Sequence, residues 1–429
     1  EVREFDGRRL GKNFRTLRRP PDGMLAFGGM MVSRVDIQHL LSARRSPRSA
    51  WHAAKLLARY AKDRIFYPRG TRLTTGNALI ARLATTLFEK DVPLWLQTRA
   101  TSLVRDGATV RGVKLEREGR EMVVMARLGV VLATGGYAAS ENAVADRPDN
   151  GLPHHTMSRD ACVGDGLGLA QAVGGMPGTN LASNFFWAPV SIRRLSDGGI
   201  EKFPHLVTDR AKPGIIAVDG AGHRFVNEAN SYHRFVLAMQ QLPKERARVF
   251  LICDSTAMNA YGMGLARPSP SDRRPLMRDG YLISAPTLAG LAALLDLPAP
   301  ALEATVERFN AHSVEGKDPD FQRGASSYNL SMGDPAHAPN PSLGPLTRGP
   351  FYAIALATGD LGSARGIVTN VDAQVIDRNG NPVAGLYAVG NDMNSLMNGT
   401  YPGPGITLGP ALTFGYLAAR HLAQASNAT

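Results

Sequence analysis

Apolar residues recur at helical spacing in several segments of the chain, and this recurrence predicts the helices. In residues 51–66, leucine, tyrosine and isoleucine side chains share one side while lysine and arginine side chains line the other, which is typical of an amphipathic helix. Further helices are predicted over residues 77–89, over 164–174, near Gln240, over 287–295 and over 409–424. Helices are therefore expected along most of the chain.

Short apolar or alternating runs between these segments predict strands. The predicted strands cover residues 93–96, 100–104, 110–116, 121–126, 128–133, 375–378 and 385–389. Glu118-Gly119 separates two alternating runs, which is typical of a hairpin turn. Residues 128–133 are continuously apolar and end in Thr134-Gly-Gly136, which favours a strand buried on both faces of a parallel sheet. Strands mixed with helices in this way indicate an α/β fold with α+β mixing.

Positive charge is concentrated at the start of the chain. Residues 1–70 hold 16 Lys and Arg residues against 6 Asp and Glu residues, whereas the whole 429-residue chain has a net charge of +12. Such a segment can bind nucleic acid or an anionic membrane. Because no nucleic-acid-binding module and no stacking aromatic platform accompanies it, we expect no nucleic-acid partner. The favoured interpretation is a solvated basic face or a docking face for another part of the protein.

Cysteine and histidine usage excludes most metal centres. Cys162 and Cys253 are too few for a disulfide framework, a cysteine zinc site or an iron–sulfur centre, and no C-x-x-C-H haem motif occurs. His154-His155 lacks a third ligand at suitable spacing, so no metal is expected. Redox chemistry must therefore come from an organic cofactor. Without a signal peptide or an apolar run near the roughly 20 residues that span a bilayer, a cytoplasmic protein without a transmembrane segment is expected.

The most informative segment lies near the end of the chain, where residues 399–415 are rich in glycine and proline. Glycines let backbone N–H groups approach a ligand closely, and Pro410 suits the first turn of a helix. The positive end of a helix would stabilise negative charge that develops on a bound ring. A purely structural turn is the alternative interpretation.

Six motifs along the chain form a specific combination. Four of them are Val131-Leu-Ala-Thr-Gly-Gly136, Gly164-Asp-Gly166, Gly214-Ile-Ile-Ala-Val with His223-Arg-Phe-Val-Asn-Glu228, and Gly385-Leu-Tyr-Ala-Val-Gly-Asn391. Together they resemble the flavoprotein family of succinate dehydrogenase and fumarate reductase. The other two, Thr358-Gly-Asp-Leu-Gly362 and Thr400-Tyr-Pro-Gly-Pro-Gly405, resemble its 3-ketosteroid Δ1-dehydrogenase branch.

The resemblance implies a Rossmann-like domain that binds FAD, into which a substrate and catalytic domain is inserted. The FAD-binding domain would cover residues 1–190 and 356–429, and the catalytic domain residues 191–355. The family normally begins with a strand and a G-x-G-x-x-G turn that holds the FAD pyrophosphate. No such unit precedes Gly70, so an incomplete FAD-binding domain is expected. Either a separate N-terminal segment completes it, or this polypeptide does not hold FAD tightly alone.

The resemblance also implies FAD contacts for individual residues. Positions that match the family's cofactor contacts are Gly135 and Gly136 near the adenosine half, Asp165, Gly390 and Asn391, and the pair Thr407 and Leu408 at the flavin ring. Glu228 and Arg224 are expected to support the fold by pairing or to contact the flavin.

The same comparison implies the catalytic residues. Tyr232 stands where fumarate reductases carry a proton-delivering arginine, and residues 359–366 lack the histidine that dicarboxylate reductases use. The ketosteroid branch uses a tyrosine here to remove a proton beside a ketone. A second tyrosine and a backbone N–H polarise the ketone oxygen in that branch, and they match Tyr401 and Gly405. His233 is interpreted as a proton relay or a surface residue.

The expected activity is therefore FAD-dependent dehydrogenation of a carbon–carbon bond next to a ketone. A steroid-like ketone is the expected substrate, and an external electron acceptor is required because the sequence offers no haem or iron–sulfur ligands. Two alternatives stay open. One is a fumarate reductase-like flavoprotein that acts on another enone or a dicarboxylate, and the other is a non-catalytic fragment that binds a ligand or partner.

Overall fold

The computed structural model describes residues 3–20, 25–43, 46–206, 209–268, 270 and 273–427. The chain forms two compact units, Glu1–Leu96 and Gln97–Thr429. Helices and strands are mixed throughout, which confirms the predicted fold class. In the part of the chain that is described, no helix is both long and apolar enough to cross a membrane. The domain boundaries at residues 190 and 355 stay predictions.

The first unit is mainly helical. Its elements are β1 (Phe5–Asp6), a 3-10 helix (Gly7–Arg15), α1 (Arg34–Ser42), α2 (Pro47–Phe66), β2 (Arg72–Leu73) and α3 (Thr75–Glu89). The predicted helices over 51–66 and 77–89 are confirmed as α2 and α3. The buried residues that form its core are Phe5, Leu10, Phe14, Leu25, Met31, Leu73, Ala78 and Ala81. On α2, Lys55 and Lys62 are exposed, as expected for a solvated basic face.

The second unit contains the remaining elements. They begin with β3 (Thr98–Asp106), β4 (Thr109–Arg117), β5 (Arg120–Met125), β6 (Val130–Leu132), β7 (His154–Thr156), α4 (Asp165–Ala172), β8 (Phe185–Trp187), β9 (Val190–Arg194), β10 (Ile200–Pro204), β11 (Ile215–Asp219) and α5 (Tyr232–Gln240). They continue with β12 (Val249–Cys253), α6 (Ser255–Ala260), α7 (Arg273–Arg278), β13 (Ile283–Ala285), α8 (Leu288–Leu295), α9 (Ala299–Glu315), α10 (Ser327–Met332), β14 (Phe351–Leu356), β15 (Thr358–Ser363), β16 (Gln374–Ile376), β17 (Pro382–Ala388) and α11 (Leu408–Asn427).

The predicted parallel strand is β6. It pairs in parallel with β17, and β17 pairs antiparallel with β16. Val131 is 41% exposed, so the expectation that this strand is buried on both faces is wrong. Val130 and Leu132 pack in the apolar cluster of this sheet, whereas Val131 points to the opposite face, which the described residues leave partly uncovered. Because β6 and β17 run in parallel, the turns that follow them, Thr134–Gly136 and Gly390–Asp392, lie at the same end of the sheet.

A three-stranded meander, β3–β4–β5, confirms the predicted hairpin. Glu118 and Gly119 form its second turn with φ of 54° and 71°, as expected of a tight two-residue hairpin turn. The strand predicted over residues 93–96 is wrong, because this segment forms no β ladder. Pro93 lacks the N–H that a ladder requires, and Leu94 and Trp95 are exposed instead of packed on a sheet.

A four-stranded antiparallel sheet, β11–β12–β14–β13, forms the centre of the second unit. Alternate residues of β11 enter two hydrophobic clusters: Ile215 and Ala217 belong to one, Ile216 and Val218 to the other. The sheet is therefore buried on both faces. Phe235 on α5 belongs to the first cluster, so this helix is packed on one face of the sheet.

Candidate active site

Two tyrosine hydroxyls from distant parts of the second unit meet. Tyr232 is the first residue of α5 and Tyr401 lies in the loop before α11; they are 169 residues apart, and their hydroxyl groups are hydrogen-bonded to each other. The ring centroids are 5.0 Å apart in an edge-to-face arrangement. Tyr232 is 3% exposed, and Tyr401 packs against the apolar cluster of Phe186, Ala364 and Ile406. The structure thus brings the two predicted catalytic tyrosines together.

The start of α5 positions Tyr232. The Ser231 side chain caps this helix by accepting a hydrogen bond from the Arg234 N–H at 3.3 Å. Phe235, nearly one turn further along, is fully buried in the core and anchors the helix. The position of Tyr232 therefore depends on where α5 begins.

A buried carboxylate, Glu228, fixes the segment that leads into α5. It accepts hydrogen bonds from the Ala217 N–H in β11 at 3.0 Å and from the Arg224 and Arg323 guanidiniums at 2.8–3.0 Å. Burial raises the pKa of Glu228, but the two guanidiniums outweigh burial and lower that pKa to about 2. Glu228 is therefore ionised, and its pairing with Arg224 supports the fold, as the sequence predicts.

Arg210 holds the backbone between Glu228 and Tyr232. Its guanidinium donates to the carbonyl oxygens of Glu228 and Asn230 at 2.8 and 3.2 Å and lies 5.0 Å from the centroid of the Phe235 ring. Burial lowers the pKa of Arg210 to about 10, which leaves the side chain cationic at neutral pH. A buried positive charge therefore lies next to the backbone that leads into α5.

Both phenols are neutral in the resting protein. Burial raises the pKa of Tyr232, and the hydrogen bond with Tyr401 raises it further, while the Arg210 charge lowers it. Burial also raises the pKa of Tyr401. Tyr232 can act as a base only if a neighbouring donor or positive charge stabilises its ionised form.

Tyr401 is positioned by the close contact between its own loop and the loop that contains Ala182 and Ser183. Gly399 has a φ of 75°, and a Cβ at this position would collide with the backbone of Ser183. The Ala182 N–H donates to the Asn398 carbonyl oxygen at 2.9 Å and ties the same two loops together. Glycine is therefore required two residues before Tyr401.

His233 packs against the tyrosine pair. Its ring stacks on the Tyr401 ring at 5.6 Å, and its Nδ1 accepts a hydrogen bond from the Trp187 N–H at 3.2 Å. Burial lowers the pKa of His233 to about 4. The ring is therefore neutral with its proton on Nε2, and the interpretation of His233 as a surface residue is wrong because only 4% of it is exposed.

A cleft lies next to the tyrosine pair, between the ends of β15 and β17 and the start of α11. Its lining includes Phe186, Ser363, Gly390, Asn391, Ile406, Thr407 and Pro410. The Phe186 ring is 5.7 Å from the Tyr401 ring and so links the cleft to the tyrosines. Three of the predicted cofactor residues therefore line one cleft, and Leu408 follows directly as the first residue of α11.

The predicted glycine turn after β6 is held by a carboxylate. Asp392 accepts hydrogen bonds from the Thr134 N–H, from the Thr134 hydroxyl at 2.9 Å and from the Gly136 N–H at 2.8 Å. Gly135 and Gly136 have φ of 98° and 83°, and a Cβ on Gly136 would lie 2.9 Å from the Asn391 carbonyl oxygen. Burial raises the pKa of Asp392. These glycines thus lie beside Asn391, at the edge of the cleft.

Asp165 and Gly405 are two of the predicted site residues that lie outside the cleft lining. Asp165 begins α4, where its carboxylate is 3.4 Å from the Arg99 guanidinium, and the next residue, Gly166, donates to the Thr134 hydroxyl at 3.1 Å. Gly405 has a φ of 101° and open space around its Cα, and its carbonyl oxygen accepts the Gly409 N–H at 2.8 Å at the start of α11.

Asp392 and Arg210 are functional candidates that the sequence does not predict. Asp392 directly follows the motif that ends at Asn391, so its adjacency to a glycine turn was a usable signal. Arg210 belongs to none of the six motifs, and its role depends on the fold that brings it to the start of α5.

Two histidines lie beside carboxylates. His154 Nε2 lies 2.8 Å from the Asp360 carboxylate. Within the described ranges, one group of three possible metal ligands, His312 with Asp318 and Asp320, places its ligand atoms within 4.8 Å of one another. Both of those carboxylates already pair with arginine side chains.

Comparison with known families gives a match over almost the whole chain. The profile of the FAD binding domain family matches residues 2–408. A 4-oxocyclohex-2-ene-1-carboxylate 5-dehydrogenase from Sinomonas cyclohexanicum is 35% identical, with 99% of this chain and 73% of that protein covered. A 3-oxosteroid 1-dehydrogenase from Mycolicibacterium smegmatis is 34% identical, with 100% of this chain and 76% of that protein covered.

A solved structure is similar over the same extent. The crystal structure of the 3-ketosteroid Δ1-dehydrogenase from Sterolibacterium denitrificans, in complex with 1,4-androstadiene-3,17-dione, superposes with a TM-score of 0.88 and 33% sequence identity. The alignment covers 99% of this chain and 76% of that one.

Proposed function

The chain belongs to the FAD binding domain family, and from this premise we propose that it removes two hydrogens from a carbon–carbon bond next to a ketone. FAD is its cofactor. The observation that carries the proposal is the hydrogen bond between the Tyr232 and Tyr401 hydroxyls, beside the cleft that Gly390, Asn391 and Thr407 line.

The residues around the cleft fit FAD. The Phe186 side chain supplies apolar contact, and the 20-residue helix α11 begins at the cleft with its N-terminal dipole end. We infer that Gly390, Asn391, Thr407 and Leu408 hold the ring system. Gly135, Gly136 and Asp165 would contact the remainder of the cofactor. Bound FAD supplies hydride acceptance from the substrate carbon.

Tyr232 removes the proton in this proposal. A C–H bond next to a ketone becomes acidic when negative charge can pass to the ketone oxygen as an enolate. Tyr232 first releases its own hydroxyl proton to solvent. The substrate proton then goes to the Tyr232 phenolate oxygen, the hydride would leave the neighbouring carbon for bound FAD, and a carbon–carbon double bond forms, so atoms and electrons balance. The buried Arg210 charge supports ionisation of Tyr232.

Tyr401 and the Gly405 N–H polarise the ketone. Both belong to the same loop before α11, so one short segment would present both donors. Donors aimed at the ketone oxygen stabilise the negative charge that develops there. Within the described part of the chain, the Tyr401 hydroxyl is hydrogen-bonded to Tyr232, and it would turn from Tyr232 to the ketone.

A steroid-like cyclic ketone is the proposed substrate. The relatives that carry this proposal are named for a 3-oxosteroid and for a 4-oxocyclohexene carboxylate, and both substrates contain a ring ketone. Electrons would pass to an external acceptor. A cytoplasmic location is proposed because both cysteines are free thiols. The exposed edge strand β6 supports a role for an additional segment that completes the FAD site.

Anaerobic mixing of FAD-loaded protein with a 3-keto steroid tests the function. We expect loss of flavin absorbance near about 450 nm, and we expect Tyr232→Phe to lower its rate by about 100-fold to 10,000-fold. The variant should stay folded with a slightly lower thermal midpoint, because the Tyr401 hydroxyl loses its hydrogen-bond partner. The matched control Tyr261→Phe removes a hydroxyl that donates to Asp334 at 2.8 Å and should leave the rate unchanged.

Three outcomes contradict the proposal. A steroid and a 4-oxocyclohexane carboxylate that both leave the flavin oxidised exclude the ketone chemistry. Oxidation of the reduced protein by a dicarboxylate favours the fumarate reductase-like alternative. A colourless protein that also fails to bind added FAD favours a non-catalytic fragment.

A further inference from the structure

Tyr328 carries a buried hydroxyl group without a partner. It is the second residue of α10, and no hydrogen-bond partner of its hydroxyl oxygen is found among the residues that the structure describes. Among the residues that the structure describes, Thr74 carries the one other buried side-chain hydroxyl without a hydrogen-bond partner. Because an unpaired buried hydroxyl destabilises a fold, such a group calls for a reason outside stability.

α10 is fastened to the segment that leads to Tyr232. Asn329, next to Tyr328, donates to the Ala229 carbonyl oxygen and accepts from the Asn227 side-chain amide, both at 3.0 Å. The Ser342 hydroxyl donates to the Asn329 carbonyl oxygen at 2.7 Å and holds the helix from its other side. Tyr328 is therefore fixed relative to the start of α5.

The Tyr328 phenol belongs to the environment of both active-site tyrosines. It interacts electrostatically with Tyr232, with Tyr401 and with the buried Arg210 guanidinium. Its hydroxyl can donate a hydrogen bond. Three phenols and one cation therefore form a single cluster.

The reaction needs such a donor. When Tyr401 turns to the ketone, Tyr232 loses its hydrogen-bond partner at the moment when it must act as a base. We propose that Tyr328 is a positioning residue whose hydroxyl then hydrogen-bonds to the Tyr232 oxygen, directly or through one water. This inference rests on the proposed function and extends it to a third tyrosine.

Tyr328→Phe tests the inference, because phenylalanine removes only the unpaired hydroxyl. We expect kcat with a 3-keto steroid to fall about tenfold or more, KM to change by less than about twofold, and the thermal midpoint to stay or rise. A purely structural Tyr328 would give an unchanged kcat, and a parallel loss of kcat and thermal midpoint would also overturn the inference. The control Tyr261→Phe should lower the thermal midpoint and leave kcat unchanged, since its hydroxyl is paired with Asp334.

A spectroscopic readout separates this inference from the proposed function. Protein labelled with 3-fluorotyrosine at its 11 tyrosines gives fluorine resonances, and the Tyr328 resonance is assigned by its loss in Tyr328→Phe. In Tyr401→Phe the Tyr232 hydroxyl is released, so the Tyr328 resonance should shift, whereas Tyr261→Phe should leave it in place. If Tyr401→Phe leaves the Tyr328 resonance unshifted, the inference is overturned, even in protein that oxidises no ketone. If the resonance shifts in protein that oxidises no ketone, the inference is supported and the proposed function fails.

Discussion

The two sides of the candidate site are held in different ways. The tyrosine side, which contains Tyr232 and Tyr401, rests on buried side-chain charges centred on Glu228. The glycine side, which consists of Thr134–Gly136 and Asn391–Asp392, rests on backbone N–H groups gathered by one carboxylate. The tyrosine side should therefore lose stability when a buried charge is removed. The glycine side should lose stability when a side chain is added to one of its glycines.

Glu228→Gln should give the largest effect on stability. The change leaves the fully buried Arg323 guanidinium without its carboxylate, and breaking a buried ion pair in this way costs about 3–5 kcal/mol. Urea unfolding measures the loss. Asp296→Asn is the matched control, since Asp296 pairs with Arg248 at the surface and its loss should cost less than about 1 kcal/mol. Equal losses in both variants would show that the tyrosine side does not depend on its charges.

Gly136→Ala should have the next largest effect. The residue has a φ of 83°, and the new Cβ would press on the Asn391 carbonyl oxygen, so we expect a loss of about 1–3 kcal/mol in unfolding free energy and weaker retention of FAD. Gly168→Ala is the control, because Gly168 lies inside α4 with open space at its Cβ position, and alanine favours helices there. Retention of FAD in Gly136→Ala equal to that in Gly168→Ala would contradict a glycine side that contacts the cofactor.

His233→Gln should give the smallest effect, confined to acid pH. The folded pKa of about 4 lies below the model-compound value of 6.5, so the unfolded chain takes up a proton first and stability falls as the pH drops from 6.5 towards 4. Glutamine keeps an acceptor for the Trp187 N–H and does not titrate. Thermal unfolding at both pH values should show the wild type losing about 2–4 °C more than the variant. If the wild type and His233→Gln lose the same stability between pH 6.5 and pH 4, His233 does not contribute to the pH dependence.

Local sequence patterns predicted much of the glycine side. The strands β6 and β17 and the turn at Thr134–Gly136 follow from apolar runs that end in glycine, and the start of α11 follows from the glycine- and proline-rich segment before it. The pairing of β6 with β17 was not predicted. Asp392 escaped prediction because its partner Thr134 is 258 residues away, and only the fold shows that they meet.

The tyrosine side was predictable only through family resemblance. An isolated tyrosine carries no local pattern, and Tyr232 and Tyr401 stood out because their motifs resemble a known branch. Arg210 and Tyr328 belong to no motif, and their relation to Tyr232 arises from long-range packing of α5 and α10. Residues 93–96 show the opposite failure, because apolar content alone predicted a strand where Pro93 precludes a regular ladder.

The hydrogen bond between the two phenols has a consequence for ligand selection. A molecule that binds between the two phenols breaks this hydrogen bond, which costs about 1 kcal/mol net. A carbonyl compound offsets the cost because its oxygen accepts a hydrogen bond from Tyr401, whereas a hydrocarbon of the same shape has no acceptor. The resting protein thus screens its ligands against saturated or carbonyl-free analogues before any chemistry begins.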